Sequence, residues 1–406
     1  MELNRFLRLP SDTPRAVQLS ITFYLAHILL EGKIALSELT IAAALACALW
    51  AIWKRQLTAS FHILYLPLFV YGAASTISAL VADREIHSFG ETALWIKLLV
   101  FPYAVIILRE VPRARQLVLN AFFASGIFSA LYGLFQYFAL HQRDLEHRIT
   151  GASTHVMTYS GLLLPLALLF LVVAFHRRRW WLYGGALLTS VALVLTFTRS
   201  VWIGWASAVV VLILLLRPRS ILYVAPLALW FIILSPLSVF GRMVSTFDTT
   251  QTSNFDRIRM LQGGVEIIRD YPLFGVGPAN IKEIYPLYRR PDAPRFRIPH
   301  LHNNVVQIWA ERGILALWAY FLLLILFLRQ CARSWRSPGR MYAQIGVAVV
   351  VSLTCAGMFE FNFGDTEVLL ALLDLLALVL VSCEAADGSR SVASVTVNGT
   401  PGDAVV

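Results

Sequence analysis

Long apolar runs closed by charged or turn-forming residues follow one another along most of the chain, near residues 17–32, 38–53, 61–82, 92–108, 116–140 and 157–175, then 180–197, 200–216, 220–237, 304–328, 341–362 and 366–383. Each approaches the roughly 20 residues that a helix needs to cross a bilayer. The runs are continuous rather than alternating, which favours helices over a barrel. One long polar stretch, 238–303, interrupts them. The pattern predicts an all-α polytopic membrane protein of about twelve transmembrane helices. Helices 1–9 fall within 1–237, a large extramembrane loop containing short helices within 238–303, and helices 10–12 within 304–383. Residues 384–406 are small and polar without periodicity, and are expected to be a disordered tail. The first run follows basic residues as a signal peptide would, but lacks a small-residue cleavage site and is expected to remain as the first helix.

Composition excludes a soluble reading. The chain is 58% hydrophobic and 14% charged, with a mean hydropathy of +0.68, whereas soluble domains are about a quarter charged. A net charge of +10 and a pI of 9.7 would suggest nucleic acid in a soluble protein, but here the basic residues mark span ends and no nucleic-acid partner is expected. With the N-terminus in the cytoplasm, the inner loops hold Arg5, Arg8, Arg15, Lys54, Arg55, Arg109, Arg113, Arg115, Arg177, Arg178, Arg179, Arg217, Arg219, Arg329, Arg333, Arg336 and Arg340. The outer loops hold Lys33, Arg84, Arg143, Arg148 and Arg199. This asymmetry predicts both termini inside and the long loop outside. Cys47, Cys331, Cys355 and Cys383 form no CxxC pair, so neither a disulfide framework nor a zinc ribbon is implied.

Polar chemistry concentrates on the outer side. Residues 254–281 read NFDRIRMLQGGVEIIRDYPLFGVGPANI. They predict a helix with Ile258, Leu261, Val265 and Ile268 on one face, ended by Pro272 and a tight turn at Gly275, Gly277 and Pro278. An amphipathic helix lying on the membrane surface has the same pattern. Arg257 near its start, in a loop with nine basic residues counting Arg242, suits an anionic headgroup or a lipid diphosphate. The loop closes on Pro299, His300, Leu301, His302, Asn303 and Asn304, and the next helix carries Gln307, Glu311 and Arg312. A histidine at such a boundary can serve as a base or a donor, or can simply cap the helix with Asn303. The His-x-His pair shows no third metal ligand at useful spacing, so no metal is expected. Arg199 lies between two apolar runs in TFTRSVWIG, where an arginine needs a partner or a role, or snorkels from a short turn. Arg148 has similar standing, and Asp365 and Glu367 are read as solvated or as partners of the arginines.

Together, TFTRSVWIG (196–204), RIRMLQGGVEIIRDYPLFGVGPANI (257–281) and HLHNNVVQIWAERGILAL (300–317) resemble the ordered elements of the O-antigen ligase and polymerase superfamily. The resemblance covers about a third of the chain. It implies a GT-C-like glycosyltransferase in the bacterial inner membrane, with its active site in the periplasm. It also implies a donor glycan on undecaprenyl diphosphate, a lipid A-core acceptor, surrounding membrane lipids and no cofactor. His302, Arg199 and Arg257 would be the catalytic residues. Arg148, His300, Asn303, Asn304 and Arg259 would bind substrate. Ala316 departs from the ligase pattern, which more often has Gly, Thr or Tyr there. In the implied reaction, arginines neutralise the leaving diphosphate without a metal while His302 takes the acceptor proton, with inversion. The rivals are an O-antigen polymerase, a protein O-oligosaccharyltransferase and, from a different class, a lipid-linked glycan transporter. Outer-face clustering and the lack of an internal repeat favour an enzyme over a transporter.

Overall fold

The computed structural model describes residues 9–82, 94–216 and 251–397, with positions 241, 242, 244 and 248. Their regular structure is all helical, with no strand among them. In order the helices are α1 (Arg15–Leu29), α2 (Ile34–Trp53), α3 (Tyr65–Val81), α4 (Leu94–Glu110), α5 (Pro112–Phe138), α6 (Val156–Arg177), α7 (Trp180–Leu195) and α8 (Arg199–Leu216). After the polar stretch begins come α9 (Thr252–Asp270), α10 (Ile281–Tyr288), α11 (Asn304–Arg333), α12 (Arg340–Ala356) and α13 (Thr366–Val397). Eleven of the expected apolar runs coincide with helices, and 220–237 lies outside the described residues.

Six helices among the described residues are long and apolar enough to cross a membrane: α2, α5, α6, α8, α11 and α13. The apolar helices α3, α7 and α12 are shorter. The apolar windows of α6 and α13 are each 89% buried, so these two form the middle of the bundle, touching each other and α12. Around them the outer faces carry large apolar side chains such as Leu49, Trp53, Phe69, Phe128, Leu187 and Trp318, all exposed. Water would disfavour a belt of this extent and lipid would not. The chain is a multi-pass membrane protein.

Two segments depart from the sequence reading. The run 341–362 is helical only to Ala356, and residues 357–365 form a loop, because Asn304 pins it. Gly357 O accepts from Asn304 N at 2.7 Å, Asn304 Nδ2 donates to Asn362 Oδ1 at 2.7 Å, and Phe363 N donates to Asn304 Oδ1 at 3.2 Å. The final helix also continues to Val397, past the expected tail boundary. Its extension is anchored where Arg109 Nη2 meets Glu384 Oε1 at 2.7 Å and Ser334 Oγ donates to Asp387 Oδ2 at 2.6 Å.

α9 turns a different face inward from the one expected. Met260, Gly263, Gly264, Ile267 and Ile268 are buried, while Ile258 and Val265 are exposed. The glycine pair decides this: a Cβ on Gly264 would come within 2.6 Å of Val306, and one on Gly263 within 2.9 Å of Tyr285. The helix therefore packs on α10 and α11.

α11 is broken at Gly313, whose φ of 77° and ψ of 179° are non-helical. The break frees carbonyls, and the turn after α9 takes them. Val276 N donates to Ala310 O and Gly277 N to Glu311 O, both at 2.9 Å, and Ile314 N returns a bond to Pro272 O at 3.2 Å. Ser78 of α3 also donates to Glu311 O at 2.7 Å. A Cβ on Gly313 would stand 1.9 Å from Leu273 O. Gly313→Ala is therefore expected to lower stability by about 2 kcal/mol or more, seen as a lower thermal midpoint of the purified protein. An unchanged midpoint would refute this account of the kink.

Candidate active site

The loop 357–365, the start of α9 and the entry to α11 converge on one carboxylate, that of Glu360. His302 Nδ1 lies 2.9 Å from Glu360 Oε2, Arg257 Nη2 lies 3.8 Å from the same oxygen, and His300 Nε2 is 3.7 Å from Oε1. The two imidazoles lean together with ring centroids 4.2 Å apart. His302 has a φ of 51°, a left-handed conformation that histidine tolerates better than most residues. Asn303 fixes that geometry: its Oδ1 accepts from Val306 N at 3.0 Å and caps α11, while its Nδ2 donates to Met358 O at 2.9 Å.

Around this carboxylate stand several guanidiniums. The charges of Arg199, Arg148 and Arg257 reach Arg242, which burial and then those charges push down to about 10. Arg148 is lowered by burial and by Arg257, against the pull of Glu360. Arg257 is lowered mainly by burial, with Glu360 opposing. For Glu360 burial works toward neutrality, but the hydrogen bond from His302 and the charges of His302, His300 and Arg257 prevail and bring it down to about 2. A carboxylate ionised at neutral pH only accepts, so in the neutral ring of His302 the proton sits on Nδ1 and the lone pair is on Nε2.

Arg199 opens α8 and is buried. It reaches the start of α9, donating to Gln251 Oε1 and Ser253 Oγ at 2.9 Å each and to Asn254 Oδ1. The predicted residues His302, His300, Arg199, Arg257 and Arg148 thus gather at one place. Arg259 does not join them. Two positions along α9 from Arg257, it points elsewhere, pairing with Asp292 and stacking on Phe255. Asn303 and Asn304 direct their side chains to the loop carrying Glu360 rather than to open space. Asp365 and Glu367 are not the arginines' partners. Asp365 accepts from Thr158 Oγ1 at 2.6 Å, and Glu367 is buried in the first turn of α13. A cavity of about 290 Å³ beside the turn is lined by Val81, Tyr271, Leu273 and Phe274 among others, and the charged cluster does not line it.

Glu360 is the site residue that the sequence reading misses, since it sits at the end of an apolar run. Its signal is an acid followed by Asn362 and Gly364, a polar stretch unsuited to a helix end in lipid. Glu360 also supplies the third group that spacing alone does not reveal: one ligand atom each from His300, His302 and Glu360 lie within 4.8 Å of one another. This set could hold a metal by donor type. Its surroundings oppose one, since Arg257 already pairs with the same carboxylate and further guanidiniums crowd it.

The folded state resists protonation at two groups here. Burial and then His302 push His300 down to about 4 from 6.5, and Glu360 stands at about 2 against 4.5. The unfolded chain takes up both protons at higher pH than the folded one does. Stability is therefore lost first between about 6.5 and 4 through His300 and then between about 4.5 and 2 through Glu360. His300→Gln is expected to retain on the order of 1–2 kcal/mol more than the wild type as pH falls through the first window, measured by thermal unfolding against pH. Parallel curves for the two proteins would contradict this.

No curated protein matches the chain. Residues 184–321 match the O-antigen ligase family, a span running from within α7 to the middle of α11. It contains Arg199, Arg257, His300 and His302, and stops short of Glu360. Over this span the chain is similar to the O-antigen ligase family.

Proposed function

We propose that the protein is an O-antigen ligase that moves a glycan from undecaprenyl diphosphate to lipid A-core at the periplasmic face of the inner membrane. The observation that carries this reading is the arrangement around Glu360: an oriented imidazole on one side and a group of guanidiniums on the other. The basic loops agree with the proposed orientation. Arg109 and Arg177 end α4 and α6, whereas Arg148, Arg199 and His302 lie at the opposite helix ends.

In the proposed reaction the acceptor hydroxyl oxygen attacks the anomeric carbon from the face opposite the diphosphate. The carbon–oxygen bond to phosphate breaks, and its electron pair leaves with the diphosphate. Arg257, Arg148 and Arg242 hold that growing charge, with Arg199 fixing the start of the helix that carries Arg257. His302 Nε2 takes the hydroxyl proton, and Glu360 holds the ring through Nδ1 and offsets the charge the ring gains. Asn303 and Asn304 position this pair. The cleaved bond supplies the driving force, so no nucleotide is required.

His302→Ala is expected to lower transfer by at least ~10²-fold while the protein stays at normal level in the membrane. Glu360→Gln should lower kcat with little change in KM for the donor, and Arg257→Lys, which keeps charge but not the planar fork, should lose at least ~10-fold in kcat/KM. The assay uses purified full-length protein with lipid-linked glycan and lipid A-core. Full activity of His302→Ala rejects the role of the histidine. Extension of the glycan alone would make the protein a polymerase, and transfer to Ser or Thr peptides an oligosaccharyltransferase. Binding of the lipid diphosphate with no transfer to any acceptor would point to a transporter.

A further inference from the structure

A second histidine–carboxylate cluster lies inside the helix bundle, apart from the residues described above. His27 is in the last turn of α1, Glu31 in the turn leading to α2, and Asp374 within α13; their exposures are 0%, 2% and 0%. One ligand atom from each lies within 4.8 Å of the others. His27 Nε2 is 3.1 Å from Asp374 Oδ2.

Hydrogen bonds hold two of the three groups in place. His27 Nδ1 lies 3.1 Å from the carbonyl oxygen of Ser37 and 2.8 Å from its hydroxyl. Nε2 hydrogen-bonds Asp374 Oδ2 at 3.1 Å; with a cation in place of the proton between them, the ring proton moves to Nδ1, where the Ser37 carbonyl accepts it. Tyr24 OH donates to Asp374 Oδ1 at 2.9 Å, which leaves Oδ2 directed at the histidine. Glu31 Oε1 is fully buried and has no hydrogen-bond partner. Neither carboxylate forms a salt bridge with a lysine or arginine among the described residues. Three groups able to ligate a cation thus converge in an apolar bundle, and two of them are acids whose ionised forms are costly to bury uncompensated.

We propose that His27, Glu31 and Asp374 form a divalent-metal site of the zinc type, tying the α1–α2 turn to the central helix α13. One nitrogen and two carboxylate oxygens are a zinc donor set with a fourth position open to water. Two positive charges cancel the two carboxylates. The partners of the ligands follow the usual pattern behind such sites: the imidazole donates its other N–H to a backbone carbonyl, and the carboxylate is held by a tyrosine hydroxyl. The trio at Glu360 differs in the feature that matters, since guanidiniums supply its positive charge. The ion would link the α1–α2 turn to α13, and no step of glycosyl transfer passes through it.

The test is the zinc content and zinc affinity of the full-length protein in detergent, after chelator treatment and dialysis, by mass spectrometry and titration calorimetry. Wild type and His302→Ala should each bind one equivalent of Zn²⁺. Glu31→Gln, close in shape but unable to ligate as a carboxylate, should bind at least ~10-fold more weakly. Zn²⁺ should raise the thermal midpoint of the wild type and not of Glu31→Gln. The wild-type measurements stand even if a variant fails to fold. Absence of stoichiometric binding by the wild type overturns the proposal and leaves the cluster held by protons alone. Unchanged binding by Glu31→Gln also overturns it, as does loss in His302→Ala with retention in Glu31→Gln, which would place the ion at the outer trio.

Discussion

A single buried carboxylate organises the charged end of this protein. Placing arginines together in a poorly hydrated pocket is unfavourable, because each loses water and repels the next. Glu360 relieves part of that repulsion. Its own burial would favour the neutral acid, but the imidazoles and Arg257 outweigh burial and keep it ionised. The same oxygen that faces Arg257 accepts from His302. One group therefore sets the tautomer of the histidine and the position of a guanidinium, which ties the proposed base to the proposed diphosphate contact.

That carboxylate is held by backbone geometry elsewhere. The loop carrying it is clamped by Asn303 and Asn304 at the entry to α11. Farther along, the same helix breaks at Gly313, and the carbonyls so released bind the turn that follows α9. α9 carries Arg257, so both partners of Glu360 are referenced to one broken helix. Buried backbone groups need partners, and here the partners exposed by a kink in one element are used to position the next.

The two histidine–carboxylate clusters show how surroundings decide chemistry. Both combine imidazole with acid, and each has a group of three that could meet at an ion. At Glu360 guanidiniums satisfy the acid. At Glu31 and Asp374 the neighbours are a tyrosine hydroxyl, a serine and apolar side chains, with no lysine or arginine among the described residues to balance them.

Hydrophobic periodicity determined the helices, because a bilayer demands long apolar runs whatever packs around them. The strings around Arg199, Arg257 and His302 carried the family resemblance and the candidate site residues by themselves, since those motifs are local. Packing between helices was not legible. Which face of α9 turns inward depended on how closely Val306 and Tyr285 approach Gly264 and Gly263, not on the positions of Ile258 and Val265. The separate fates of Arg257 and Arg259, two residues apart, depended on what lay across from each. Glu360 meets His302 across 58 residues of chain, and Asp374 meets His27 across 347. Such partners are chosen by the burial of charge and by hydrogen bonding in three dimensions, so only the tertiary structure could decide them.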